Sequence, residues 1–179
     1  RGHLRSRLGI PLEDKVALVS LGAGEINDIS SLRDFVVEGL IDRGIYVIIA
    51  DSMLRPLKSR YDHERIRVVQ NFPIMRNRNC FDMAVIAGGY NSVNECILLR
   101  LPSVIVPNSE TSRDDQPLRA EMASKIGGSI VVEEVDKAII GLALDRICDD
   151  QVRADMAQKL VMNYADDGAE ILADRLLGE

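Results

Sequence analysis

The chain has 179 residues, 46% of them hydrophobic, with a formal net charge of −6 and a pI near 5.0. That length suffices for one domain with a sizeable core, and the excess of acid argues against a nucleic-acid backbone as the main partner. No apolar run approaches the ~20 residues needed to span a bilayer, and nothing resembles a secretory signal. Three widely spaced cysteines (Cys80, Cys96, Cys148), no CxxC pair and only His3 and His63 make a zinc site improbable. The same cysteine usage predicts a reducing compartment, the cytoplasm. The chain starts at Arg1 without a methionine, which reads as a piece of something longer. The basic clusters Arg1-Arg5-Arg7 and Arg76-Arg78 read as solvated faces.

In chain order, a short helix over residues 3–10 is ended by Gly9 and Pro11, and a buried strand runs over 15–21. Gly22-Ala23-Gly24 follows. Ser30 or Ser31 is the expected cap of a helix whose apolar face is Leu32, Phe35, Val36, Leu40 and Ile41, at spacings of three and four, with Gly44 as its stop. Residues 45–50 form a second strand, 54–61 a weak helix broken by Pro56, and 66–69 a third strand leading to Phe72-Pro73-Ile74. A helical turn near Arg76 leads into the apolar strand ending at Ala87.

Gly88-Gly89 then opens a helix, Pro102 halts it, and residues 103–106 form a buried strand before a long polar loop ending in Asp115-Gln116. Cys96 reads as a core residue of that helix. Pro117 suits the first turn of a helix to Ile126 with Met122, Ala123 and Ile126 inward, and Gly127-Gly128 stops it. A last strand over 129–132, a helix capped by Asp136, and helices over 150–164 and 169–177 complete the chain. Val/Ile-rich strands alternating with helices predict an α/β fold: a Rossmann-like parallel sheet of about six strands with helices on both faces. Ligands of such sheets bind at the carboxyl ends of the strands, where the informative residues fall.

The stretch from Ala87 to Gln116 carries the chemistry. A strand, two glycines and a helix N-terminus make an anion site, because the first N–H groups and the helix dipole face a negative ligand. A purely local reading stands beside it. Ser92 and Glu95 fit a capping box, Ser at the N-cap and Glu three residues on. Gly22-Ala23-Gly24 is open to three readings: a plain strand-to-helix turn, a diphosphate loop, or the start of a dinucleotide fingerprint with Asp51 as its ribose acid. That fingerprint lacks its third glycine, where Asn27 stands. Phe72-Pro73-Ile74 reads equally as a buried phenylalanine with a turn proline, and Asp115 as an acid favoured by a helix N-terminus.

The whole order, Gly-Gly, hydroxyl, Glu, helix, Leu-Pro, strand, Pro, loop, Asp-Gln, helix, resembles the nucleotide-sugar domain of the two-domain (GT-B) glycosyltransferases. Members of that family include the bacterial peptidoglycan N-acetylglucosaminyltransferase and the antibiotic and plant enzymes that use UDP- or dTDP-sugars. The resemblance covers about residues 4–134. It implies that residues 1–179 are a single nucleotide-sugar-binding domain, the C-terminal half of an inverting, metal-independent enzyme with no cofactor beyond its donor substrate. The acceptor site and general base are then expected on an absent N-terminal domain or subunit.

By resemblance the donor-binding residues are Gly22, Gly24, Phe72, Ile74, Gly88, Gly89, Asn91, Ser92, Glu95, Asp115 and Gln116. Glu95 would accept the ribose hydroxyls, Ser92 would donate to a phosphate, backbone near Ile74 would pair with the base, and Asp115-Gln116 would contact the sugar. This chain departs from the pattern at Ala87, where many relatives carry histidine. At Arg100, where the family closes the helix with glycine, the substitution is expected to cost a C-cap and to bring a cation toward the cleft. Tyr90 and Asn91 are bulkier than the residues usual in that turn. A nucleotide-sugar hydrolase or epimerase of the same architecture, and a non-catalytic binding subunit, are the alternative readings.

Overall fold

A computed structural model describes residues 2–22, 29–50, 61–70, 73–108 and 114–163. The elements run α1 (Gly2–Arg7), β1 (Val16–Ser20), α2 (Ile29–Asp42), β2 (Tyr46–Ala50), β3 (Ile66–Val69), a 3-10 helix (Ile74–Cys80), β4 (Met83–Ala87), α3 (Tyr90–Leu98), β5 (Ser103–Val106), α4 (Gln116–Ile126), β6 (Ser129–Val131), α5 (Lys137–Cys148) and α6 (Asp150–Asn163). The strands form one six-stranded sheet in the order β3-β2-β1-β4-β5-β6. Every pairing is parallel. This is the doubly wound order, and its switch point lies between β1 and β4. The weak helix expected over 54–61 and the helix over 169–177 lie outside the described residues, apart from Tyr61.

Strand alternation divides the core in two. Ala17, Val19, Val47, Ile49, Val85 and Val104 face one layer with Val36, Val37 and Leu40 of α2 and Ile140, Leu144 and Ile147 of α5. Val16, Leu18, Ile48, Ala84, Ile86 and Ile105 face the other, with Val93, Cys96 and Ile97 of α3 and Ala120 and Ala123 of α4. Both sheet faces are covered, so the central strands need apolar residues at most positions, and their sequences show Val/Ile-rich runs for that reason.

The helix stops follow their sequence signals closely. Gly44 (φ 73°) and Gly127 (φ 91°) take the left-handed conformation that ends α2 and α4. Asp136 caps α5 by accepting from the N–H of Ala138 and Ile139 at 2.7 and 3.1 Å. Three local expectations are corrected. Helix α2 already includes Ile29, so Ser30 and Ser31 lie within it rather than capping it. Met122 is 60% exposed, because the inward stripe of α4 is Ala120 and Ala123. Arg5, expected on a solvated face, is fully buried.

Arg5 shows how the amino edge of the sheet is closed. Its guanidinium pairs with Asp82 at 2.7 Å and donates to the carbonyls of Cys80, Leu12 and Asp14. Asp82 also accepts from the N–H of Val16 at 2.9 Å. One buried pair thus ties α1 to the starts of β1 and β4.

Candidate functional site

The site is built at the opposite, carboxyl edge. Ser20 pairs with Ile86 in the β1–β4 ladder. Two residues further on come Gly22 and Gly88, on either side of the switch point. Gly22 has φ 84° and open space around it, a conformation that favours glycine over any residue with a Cβ. Gly24 and Phe72, like Asp51, lie outside the described residues.

Beyond β4 the chain turns through Gly88 and Gly89 directly into α3. Gly89 is the N-cap, with extended backbone (φ −63°, ψ 145°), and no side chain caps the helix. The capping box read from Ser92 and Glu95 does not form, because α3 starts at Tyr90 and puts Ser92 in its first turn. The first ladder bond of the helix is from Val93 N–H to the Gly89 carbonyl at 3.1 Å. Tyr90, Asn91 and Ser92 therefore precede the ladder, and their N–H groups point out of the helix end. A Cβ on Gly89 would meet no atom within 4 Å, so this end opens onto free space.

Glu95 stands four residues after Asn91 and three after Ser92, so it neighbours both on the surface of α3. Asn91 is exposed, and Ser92 and Glu95 are partly buried. Burial pushes the Glu95 carboxyl above the ordinary glutamate range. Cys96 beside it is a core residue, its thiol pushed up to about 12 by burial.

The start of α4 is packed against this turn. A Cβ on Gly88 would lie 2.8 Å from Gln116 Cβ and 3.1 Å from the Gln116 carbonyl, so only glycine permits the approach. Gln116 Oε1 accepts from the N–H of Asn108 at 3.0 Å, tying the end of β5 to α4. Asp115 is the N-cap of α4, accepting from Leu118 N–H at 3.0 Å, and is exposed. The structure thus brings Gly88, Gly89, Asn91, Ser92, Asp115 and Gln116 to the neighbouring N-termini of α3 and α4, with Glu95 one turn along α3. Ile74 lines a cavity of 360 Å³ with Leu4, Arg7, Leu8, Val69 and Gln70.

Arg119 belongs to this arrangement and was not picked out from the sequence. Its Nη1 donates to the Gly88 carbonyl at 2.6 Å, and its Nη2 pairs with Asp114 at 2.6 Å. The guanidinium lies 5.6 Å from the centre of the exposed Tyr90 ring. The bond from Arg119 holds the Asp114 carboxyl below the usual carboxylate range, and Gln116 adds to it. The available sequence signal was its place three residues after Gln116, one turn along the same helix.

Arg100 is not near the cleft. It follows α3 at the amino edge with φ 56°. Its N–H bonds to the Ile97 carbonyl and that of Leu101 to Cys96, so the glycine-type C-cap is kept with an arginine in it. Arg78 donates to the carbonyls of Leu99 and Arg100, both at 2.8 Å. A second cavity, of 520 Å³, lies at this same amino edge, beside Lys15, Asp82, Pro102 and Arg153. Its charged groups are already engaged: Asp82 with Arg5, and Lys15 and Arg153 with Asp150.

The six-stranded order and the open carboxyl edge define a doubly wound α/β protein with an uncapped helix N-terminus at its switch point. No family model matches the chain. Over 183 residues it is 26% identical to the UDP-N-acetylglucosamine--N-acetylmuramyl-(pentapeptide) pyrophosphoryl-undecaprenol N-acetylglucosamine transferase of Symbiobacterium thermophilum, with 97% of this chain and 49% of that protein covered. The spinosyn rhamnosyltransferase SpnG superposes with a TM-score of 0.76 at 16% identity, covering all of this chain and 49% of that one. SpnG complexed with thymidine diphosphate gives a TM-score of 0.73 at 15% identity, covering 91% and 45%. The chain spans about half the length of the curated relatives it matches. Its architecture is that of the C-terminal domain of the GT-B glycosyltransferases. Among the described residues no helix is long and apolar enough to cross a membrane.

Proposed function

We propose that this chain is the donor-binding half of a glycosyltransferase that moves a hexose from a UDP- or dTDP-sugar to an acceptor held by another domain or subunit. The uncapped N-terminus of α3, opening between Gly88-Gly89 and the start of α4, carries this reading. A diphosphate at that end would meet the free N–H groups of the turn, with the Ser92 hydroxyl close by. The same donors would stabilise the charge that develops on the leaving group as the glycosidic bond breaks, so this half needs no metal for that step. Glu95 would accept the ribose hydroxyls. Its desolvated carboxylate gains most from such donors, because bonds to a charged acceptor are the stronger kind. Asp115 and Gln116 would orient the sugar for attack from the acceptor side. The names of the relatives support a pyrimidine nucleotide: one is a UDP-N-acetylglucosamine enzyme, and one neighbour was solved with thymidine diphosphate.

Calorimetric titration with UDP, dTDP, GDP and NAD, with Glu95→Ala alongside, tests this directly. One pyrimidine diphosphate is expected to bind and to lose about tenfold or more in affinity in the variant, the scale of a hydrogen bond to a charged group. Binding of NAD that ignores Glu95 would overturn the reading in favour of a dinucleotide site.

A further inference from the structure

We propose that Arg119 is a positioning residue for the diphosphate: by holding the Gly88 carbonyl it aims the N–H groups of the turn, and through Asp114 it ties that aim to the end of the loop before α4. The inference rests on the donor-binding reading above. A peptide bond is planar and trans, so the carbonyl of Gly88 and the N–H of Gly89 point in opposite directions within one rigid unit. Two successive glycines leave that unit unusually free to rotate. The carbonyl of Gly88 precedes the N-cap and takes no part in the α3 ladder, so nothing within the helix fixes it. Arg119 fixes it at 2.6 Å, and the N–H of Gly89 is thereby aimed away from the guanidinium. Gln116, from the same helix, also packs against the turn and leaves no room for a Cβ on Gly88.

The location of the charge supports a role in the site. Arg119 stands in the opening turns of α4 and beside the N-terminus of α3, two positions where helix dipoles disfavour a cation. Helix stability therefore does not account for an arginine there. Asp114 offsets the charge on the α4 side, and the ring of Tyr90 covers the guanidinium on the other. On the α3 side the first turn contains no acid. The result is a charge-balanced pair beside the uncapped helix end, with the geometry of the turn set by two short charge-assisted bonds.

The test is calorimetry on the full-length protein with uridine, UMP and UDP, or the thymidine series if that base binds. Arg119→Ala is expected to leave the nucleoside within about twofold and to weaken the diphosphate about tenfold or more. Arg119→Lys should recover part of the loss, because a single ammonium lacks the fork that spans Gly88 and Asp114 together. Equal losses for nucleoside and diphosphate would mean that Arg119 only holds the fold and would overturn the proposal, as would an unchanged diphosphate affinity in both variants. If the unsubstituted protein binds none of these ligands, the donor-binding reading itself falls. If it binds them and Arg119 has no selective effect, this inference alone falls.

Discussion

Helices α3, α4, α5 and α6 present four N-termini that can be compared directly. Three are closed by an aspartate: Asp115 accepts from Leu118, Asp136 from Ala138 and Ile139, and Asp149 from Val152. The fourth, α3, starts at a glycine with no side-chain cap. An aspartate cap typically contributes a few tenths of a kcal/mol more than a glycine cap, so α3 forgoes a small stabilisation that its neighbours take. It is also the helix that follows the Gly-Gly turn at the switch point. The difference teaches that the ends of α4, α5 and α6 are satisfied from within, while the end of α3 leaves its donors uncapped, as the proposed diphosphate site requires.

The two edges of the sheet sharpen the comparison. At the amino edge the polar groups are consumed internally by Arg5 and Asp82. Asp82→Ala leaves Arg5 buried without its partner, and a loss of about 3–5 kcal/mol is expected in urea unfolding. Nucleotide binding by the folded fraction should be unchanged, since the pair lies at the far edge. Gly89→Asp would instead give α3 the cap that its neighbours have. The site is open and the backbone is extended, so the side chain fits. A stability gain of a few tenths of a kcal/mol is expected in thermal unfolding, together with a roughly hundredfold loss of UDP affinity from a carboxylate standing in the anion position. Stability up and binding unchanged would break the comparison. The smallest effect belongs to Arg100→Gly, which relieves the left-handed conformation at the other end of α3. It should stabilise the protein by about 1 kcal/mol in the same assay and leave UDP affinity untouched.

The features legible in the sequence were those set by neighbouring residues. Gly44 and Gly127 mark helix ends because no nearby residue adopts positive φ so cheaply, and residues 103–106 read as a strand because Val104, Ile105 and Val106 form an unbroken β-branched run after Pro102. What escaped depended on partners far along the chain. Arg5 looks like surface charge until Asp82, 77 residues away, is brought beside it. Arg119 looks like an exposed helix residue until Gly88, 31 positions earlier, is packed under it. The Ser92–Glu95 motif misled for a different reason. Its spacing satisfies a capping box, but the chain leaves β4 through two glycines and enters the helix at once, so the cap falls on Gly89. Arg100 was expected to weaken its helix end, yet Leu101 must be fully buried directly after it and Pro102 cannot continue a helix, so the chain accepts a strained arginine there.

The position of β1 has a consequence for how the chain comes together during synthesis. It is a central strand, and the first to leave the ribosome among the six described. Its neighbour β2 follows within 30 residues, but the partner for its other edge, β4, begins 67 positions after it at Met83. Until then Val16–Ser20 shows an apolar ribbon with unpaired N–H and C=O groups, the kind of edge that other nascent chains can join. Arg5 must wait for Asp82, 77 positions after it. The arrival of residues 82–87 therefore seals the open edge and locks α1 in one event, and a translational pause placed before that point would prolong exposure of this apolar edge.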